Sequence, residues 1–464
     1  MIARRARIGP AWAAVWLVLL CACGTPPATP TAPGATNATQ APSPSASATP
    51  QEIGPVEPAP ASASTVFAPN PGAIVVAVEA GHGGCLDWGV ADPDQRGEEF
   101  AEKAITLAIA HRLRELLEAG GIRVVMVRET DAALAGDLYP PLGCSGASFR
   151  DVNGDGLAGF GPEVPEGTRA RDEMQARLDV ANVGRADVLL SIHVDSIADE
   201  AGNLLPIART ETFYTDETPW GLMAGARLAE GLQAGVIAAL GAVAGYERQD
   251  RGTRAHNLYI VAPPLFEPTE ERPDPLRQPT RGALMPAALV EVGSITLPDE
   301  HALLLDPAGQ GAAAQGLLDG LATYFGSRGL AVRIEPADGG DVPIVATEGD
   351  GPPYWIPTLE TADGSVTLPI RITNTGTEAW PASLRLLAGW KASDAPYLRA
   401  PPEGLDPVGP ELPALASGES VVVTLNIEPP DAAARQVLWL TLSNGDGTFS
   451  ELGSPPLQLA VDAQ

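Results

Sequence analysis

Positive charge is scarce in this sequence. Its 464 residues carry 29 lysines and arginines against 58 aspartates and glutamates, a formal charge of −29. Nucleic-acid binding needs a basic footprint, so that class of partner is excluded. A self-repelling acidic chain suits a soluble, exported, monomeric protein. Cysteine is also rare, at four residues, and histidine is limited to five. No His-Glu-x-x-His pair occurs, which excludes a thermolysin-type zinc site. The N-terminal apolar run, 11–22, is too short for a comfortable membrane span, which takes roughly 20 residues.

What is present at that end is an address. Arg4, Arg5 and Arg7 precede the apolar run, as in a secretory signal. Leu20-Cys21-Ala22-Cys23 resembles the lipobox of bacterial lipoproteins, which implies cleavage before Cys23 and lipidation of its thiol. An ordinary cleaved signal is the alternative. Residues 1–22 are therefore expected to be a signal peptide. Residues 23–68, almost all Thr, Pro, Ala, Ser and Gly, are expected to form a disordered tether. The expected location is the outer face of the cytoplasmic membrane or the cell envelope, reached through the lipid. Outside the cytoplasm the remaining cysteines, Cys85 and Cys144, suggest a disulfide, with two separate thiols as the alternative.

Residues 69–328 read as an α/β domain. Ile74 to Gly84, IVVAVEAGHGG, is a buried strand that ends in a glycine-flanked histidine, His82. A helix with one apolar face is expected over 102–119, ended by Gly120-Gly121, and IRVVMV is the next strand. This order implies a parallel pair with a right-handed crossover. Further helices are expected at 169–183, 221–240 and 308–325, and further strands at VLLSI and in MPAALVEVGS. Residues 132–168 form an excursion containing Asp151, Asn153 and Asp155 in the order of a calcium loop, D-x-N-x-D-G, but Pro162 stands where the last ligand belongs. A metal-free Asx-rich turn is the alternative to bound calcium. Residues 263–281 read as a loop.

Four polar residues stand at strand ends or at a helix start: His82, Glu102, His193 and Glu291. Open α/β sheets place their chemistry at the carboxyl ends of strands. Two imidazoles and a carboxylate are a standard catalytic zinc set, with the fourth position left to water. Glu291 lies among apolar neighbours that would raise its pKa toward the range of a proton shuttle. Taken singly, each residue has a bland reading as a structural histidine or a helix-start carboxylate. His111, His256 and His301 lack the strand-end setting and read as structural or exposed.

Four segments carry a resemblance: IVVAVEAGHGG, EKAITLAIAHRLRELLEAGGIRVVMVRETD, ARLDVANVGRADVLLSIHVDS and MPAALVEVGSIT. In this order they resemble the zinc-dependent N-acetylmuramoyl-L-alanine amidases. The resemblance implies zinc on His82, Glu102 and His193, with Glu291 catalytic. It implies a mixed, mainly parallel sheet flanked by helices. The implied reaction is hydrolysis of the amide between the lactyl group of N-acetylmuramic acid and L-alanine in peptidoglycan. Two other readings stand beside it: a catalytically silent peptidoglycan-binding lipoprotein, and a zinc peptidase acting on another amide. The chain departs from the family pattern at Glu79-Ala80 (usually Asp-Pro), at Asp195 (usually Asn) and at Ser294 (usually Phe). Glu98 and Glu99 compete with Glu102 for the metal.

Beyond residue 328 helical periodicity stops. Short apolar runs between Gly, Pro, Asn and Asp turns suggest a small all-β sandwich at 353–464, after a linker at 329–352. NTGTEAWP resembles Ig-like modules of bacterial surface proteins. Trp390 and Trp439 are expected in the core, with carbohydrate stacking the alternative. This module has no histidine or cysteine, so binding or spacing is expected of it rather than catalysis.

Overall fold

The computed structural model describes residues 70–131, 133–135, 149–159, 164–165, 167–199, 201–264, 281–337, 344–345, 358–359, 365–393, 397–430 and 434–461. The expected signal peptide, the tether, Cys23 and Cys144 lie outside them.

The first half is built on six strands: β1 (Val75–Ala80), β2 (Arg123–Met126), β3 (Val188–Asp195), β4 (Arg209–Tyr214), β5 (Gln249–Ala255) and β6 (Ala287–Ser294). Their order is β2-β1-β3-β6-β4-β5. Neighbours are parallel except β4 and β6, so the sheet is mixed and mainly parallel. Every residue of β1 is buried, as expected of a strand covered on both faces.

Alternation along the strands sorts the two faces. Val76, Val78, Ala80, Leu190, Ile192, Val290 and Val292 pack against helices α1 (Glu102–Ala119), α3 (Ala226–Ala244) and α5 (Pro307–Gly326). Val75, Ala77, Leu189 and Leu289 face α2 (Thr168–Val183) and the segment before β6. A short α4 (Pro298–Leu305) precedes α5. The helix expected at 221–240 starts as a single π turn, Gly221–Gly225, before α3. In α3 and α5, Gly231, Gly235, Gly316 and Gly320 let the two backbones touch: a Cβ on Gly235 would sit 2.1 Å from the Gly316 carbonyl oxygen.

The second half holds β7 (Val332–Pro336), β8 (Ile344–Val345), β9 (Thr358–Leu359), β10 (Val366–Asn374), β11 (Arg385–Ala392), β12 (Asp406–Val408), β13 (Ser420–Ile427), β14 (Gln436–Ser443) and β15 (Leu457–Val461). A three-stranded sheet, β13-β10-β7, faces a six-stranded one, β12-β11-β14-β15-β9-β8. Both share one apolar core. Strand β7 pairs with β10, so the sandwich begins inside the stretch 329–352 that reads as a linker.

Trp380 packs in this core against Phe449 at 5.8 Å between ring centroids, and Trp390 lies partly buried against it. Trp439 is fully buried elsewhere: it packs at a tilt against Trp220 of the first half at 6.1 Å, with Leu398 and Val437 alongside. Full burial removes it from carbohydrate stacking. Asp187, just before β3, binds the Val75 amide, Arg328 and Arg333. The sandwich is therefore docked where the parallel strands begin, at the end of the sheet opposite His82 and His193.

Candidate metal centre

Strand β1 ends at Ala80, and the chain turns sharply at His82, whose φ is 61°. A side chain in that left-handed region persists only when its surroundings hold it. Two buried arginines do so. Arg128 donates from Nε to the Ala80 carbonyl (2.8 Å) and from Nη2 to that of Gly81 (3.0 Å). Arg177 donates to the carbonyls of Ala80 (2.9 Å) and His82 (2.6 Å). No glycine substitute fits around the ring pair. A Cβ on Gly81 would lie 2.4 Å from His193 Cε1, and one on Gly89 would lie 2.4 Å from Glu102 Oε2.

Glu102 opens α1 and is buried. Its Oε2 lies 3.2 Å from His82 Nε2, and its Oε1 lies 3.0 Å from His193 Nδ1. Backbone amides of Val90 (2.8 Å) and Val194 (2.9 Å) fix the carboxylate. The imidazoles stand edge to face at 4.9 Å. One ligand atom from each of His82, Glu102 and His193 lies within 4.8 Å of the others. Glu98 is instead paired with Lys103 at 2.7 Å, and Glu102 is the glutamate grouped with the two histidines.

The two ring nitrogens turned away from Glu102 also face carboxylates. His82 Nδ1 bonds Asp87 Oδ1 at 2.7 Å, and His193 Nε2 lies 3.8 Å from Glu79 Oε2. Glu79, one of the departures from the family pattern, is buried and held by Arg177 (2.5 Å) and Ser191 (2.6 Å). A carboxylate behind each imidazole is the arrangement that orients metal-binding histidines. Burial opposes a charge on His82, but the Glu102 and Asp87 carboxylates outweigh it and raise its proton affinity well above the usual range. The same field favours a cation.

Glu291 sits directly across the β3–β6 pair from His193. Its Oε2 is buried with no hydrogen-bond partner. Burial, then the Asp195 and Glu102 carboxylates, push its pKa well above the ordinary carboxylate range, while His82 and Arg209 pull the other way. A carboxyl of this kind beside two histidines and a carboxylate has the setting that proton transfer requires.

The family described as N-acetylmuramoyl-L-alanine amidase matches residues 76–323. The chain belongs to this family. It is 24% identical over 255 residues to the germination-specific N-acetylmuramoyl-L-alanine amidase of Bacillus subtilis (strain 168), a match covering 55% of this chain and 81% of that protein. Among solved structures it is similar to the CwlD amidase of Clostridioides difficile in complex with the GerS lipoprotein, at 20% identity and a TM-score of 0.38, covering 55% of this chain and 98% of that one. It is also similar to the catalytic domain of CwlV, an amidase of Bacillus (Paenibacillus) polymyxa var. colistinus, at 24% identity and a TM-score of 0.34, covering 54% and 97%.

Around this amidase cluster the other expected sites resolve differently. The Asp151 carboxylate accepts from the amides of Gly154 (2.7 Å), Asp155 (3.1 Å) and Gly156 (2.7 Å), and Asn153 Oδ1 accepts from Asp155 N at 3.1 Å. This is the Asx-rich turn, and calcium has no support. Cys85 is disulfide-bonded, and its partner lies outside the described residues. His301 holds the Phe100 carbonyl (2.9 Å) and His111 the Glu129 carbonyl (3.0 Å), both structural. Asp87, Arg128 and Arg177 escape sequence reasoning: Asp87 lies in a loop, and the carbonyls that Arg128 and Arg177 hold are remote in sequence, although Arg128 itself follows the end of β2. The available signal was the charged face of α2, where Arg171, Asp172, Gln175 and Asp179 are buried alongside Arg177.

Proposed function

We propose that the protein is a zinc-dependent N-acetylmuramoyl-L-alanine amidase that cuts the amide between the lactyl group of N-acetylmuramic acid and L-alanine. The observation that carries the reading is the pairing of a two-histidine, one-carboxylate cluster with a partnerless buried carboxyl, Glu291, across one strand pair. The donor set fits zinc: nitrogen and oxygen ligands, each histidine backed by a carboxylate. His82 Nε2, His193 Nδ1 and a Glu102 oxygen would hold the ion. When bound, zinc supplies a Lewis acid for the amide carbonyl and acidifies water.

The chain's own residues do the rest. Asp87 keeps the proton on His82 Nδ1 and leaves Nε2 free, while Glu79, 3.8 Å from His193 Nε2, acts on that ring by charge rather than by a hydrogen bond. Glu291 takes a proton from the attacking water and delivers it to the departing L-alanine amine. Arg128 and Arg177 hold the turn that aims His82. All four residues intact argue against the silent binding protein, which has no chemical need for them.

The domain layout belongs to the same proposal. A lipid on Cys23 and the Pro-rich tether would hold the hydrolase at the envelope, and a Cys85–Cys144 bridge would pin the excursion beside the His82 turn. The sandwich is docked at the end of the sheet opposite the cluster.

Product analysis of digested peptidoglycan tests the activity. Newly exposed L-alanine amines on an intact glycan chain are the expected result, and cleavage at another peptide bond would favour the zinc peptidase. A second measurement probes the ligand set. Asp87→Asn is expected to weaken zinc affinity by about 10- to 100-fold without removing any ligand, read by competition with a chelator.

A further inference from the structure

Glu211 on β4 lies opposite Glu291, and Arg209 stands two residues earlier on the same face. The β3–β6 register shifts between His193 and Asp195, which brings Asp195 level with Ser294. There Arg209 Nε donates to Asp195 Oδ2 at 2.7 Å and Nη2 reaches the same oxygen. Asp195 Oδ1 accepts from Ser196 N at 2.6 Å. Only 18% of the Arg209 side chain and 15% of the Asp195 side chain are exposed, so the pair is largely buried rather than on the open surface. Both charges act on Glu291. Arg209 Nη1 has no partner among the described residues.

The surroundings of Glu291 are otherwise acidic. Asp195 and Glu102 act on it, Glu211 lies opposite it on β4, and the protein carries −29 overall. An anionic group can settle there only beside a cation. Arg254 is already paired with Glu211 at 2.9 Å.

We propose that Arg209, held edge-on by Asp195, is a specificity-determining residue that receives a carboxylate of the stem peptide lying across β6 and β4 past Glu291. The planar guanidinium fork suits a carboxylate better than it suits a sugar hydroxyl. This inference rests on the amidase reading.

Two muramoyl peptides test it, identical except that the second stem residue carries a free α-carboxylate in one and a carboxamide in the other. The wild-type protein is expected to favour the acid by about fivefold or more in kcat/KM. Arg209→Gln is expected to reduce that preference to within about twofold, through KM, while Arg209→Lys keeps part of it. Asp195→Asn, which frees the guanidinium, is expected to widen the preference. Cleavage of both peptides by the wild type without preference, or an unchanged preference in Arg209→Gln, overturns the role of Arg209 alone. Failure of the wild type to cleave either peptide overturns the amidase reading and this inference with it.

Discussion

Glu291→Gln is expected to lose peptidoglycan hydrolysis by about 10²- to 10⁴-fold while zinc stays bound, because the substitution removes a positioned acid–base group and no ligand. The two atoms that matter are distinguishable. Glu291 is not one of the three clustered donors, so metal content should be unchanged. Its Oε2 has no protein partner, so glutamine disrupts no hydrogen bond made by that atom. Glutamine keeps the volume of the side chain and drops a carboxyl whose ionised form is costly among Asp195, Glu102 and the surrounding apolar groups. The variant should therefore fold at least as well as the wild type. The checks are kcat on muropeptides, zinc per protein and thermal midpoint, measured on one preparation. Activity within tenfold of wild type would reject the proton-carrying role, as would loss of the metal.

The candidate site residues are those whose setting contradicts their chemistry. His82 and His193 end apolar runs, and Glu291 interrupts one, so a scan for continuous apolar runs finds them. The strands on which they sit, β1, β3 and β6, are buried on both faces and announce themselves as continuous apolar stretches. Strands β4 and β5 do not. RTETFY carries buried polar residues whose side chains find partners, and QDRGTRA is the exposed edge. Missing β4 meant missing Arg209, and with it the partner of Asp195. Asp87, Arg128 and Arg177 share another cause. Each acts on a turn distant in sequence or inside an irregular loop, and no local pattern marks a side chain whose partner is a carbonyl 48 or 97 residues away.

Trp439 shows the opposite failure. A tryptophan in a β-rich stretch reads as sandwich core, and it is fully buried as expected. What it is buried against, Trp220, belongs to the first half of the chain. Hydrophobicity fixes that a side chain leaves water, not which surface receives it.

His193→Ala is expected to abolish stoichiometric zinc binding and, with it, hydrolysis, and this substitution also separates a ligand from a structural histidine. Removing the residue leaves His82 and Glu102, one imidazole and one carboxylate, where a catalytic zinc site uses three protein ligands. If losing a supporting residue costs 10- to 100-fold in affinity, losing a ligand should cost at least about 10³-fold. The alternative is that His193 merely anchors the Glu102 carboxylate through its 3.0 Å contact. The Val90 and Val194 amides already hold that carboxylate, so an anchoring histidine is redundant there. The two readings diverge in the metal-free protein. The His193 side chain is 16% exposed and lies against the Glu102 and Glu79 carboxylates, so its deletion leaves no sealed apolar cavity and should change metal-free stability little. Zinc, which stabilises the wild type in proportion to its binding, should no longer raise the variant's thermal midpoint. A variant that melts far below the metal-free wild type yet still gains stability from zinc would make His193 structural and remove it from the ligand set.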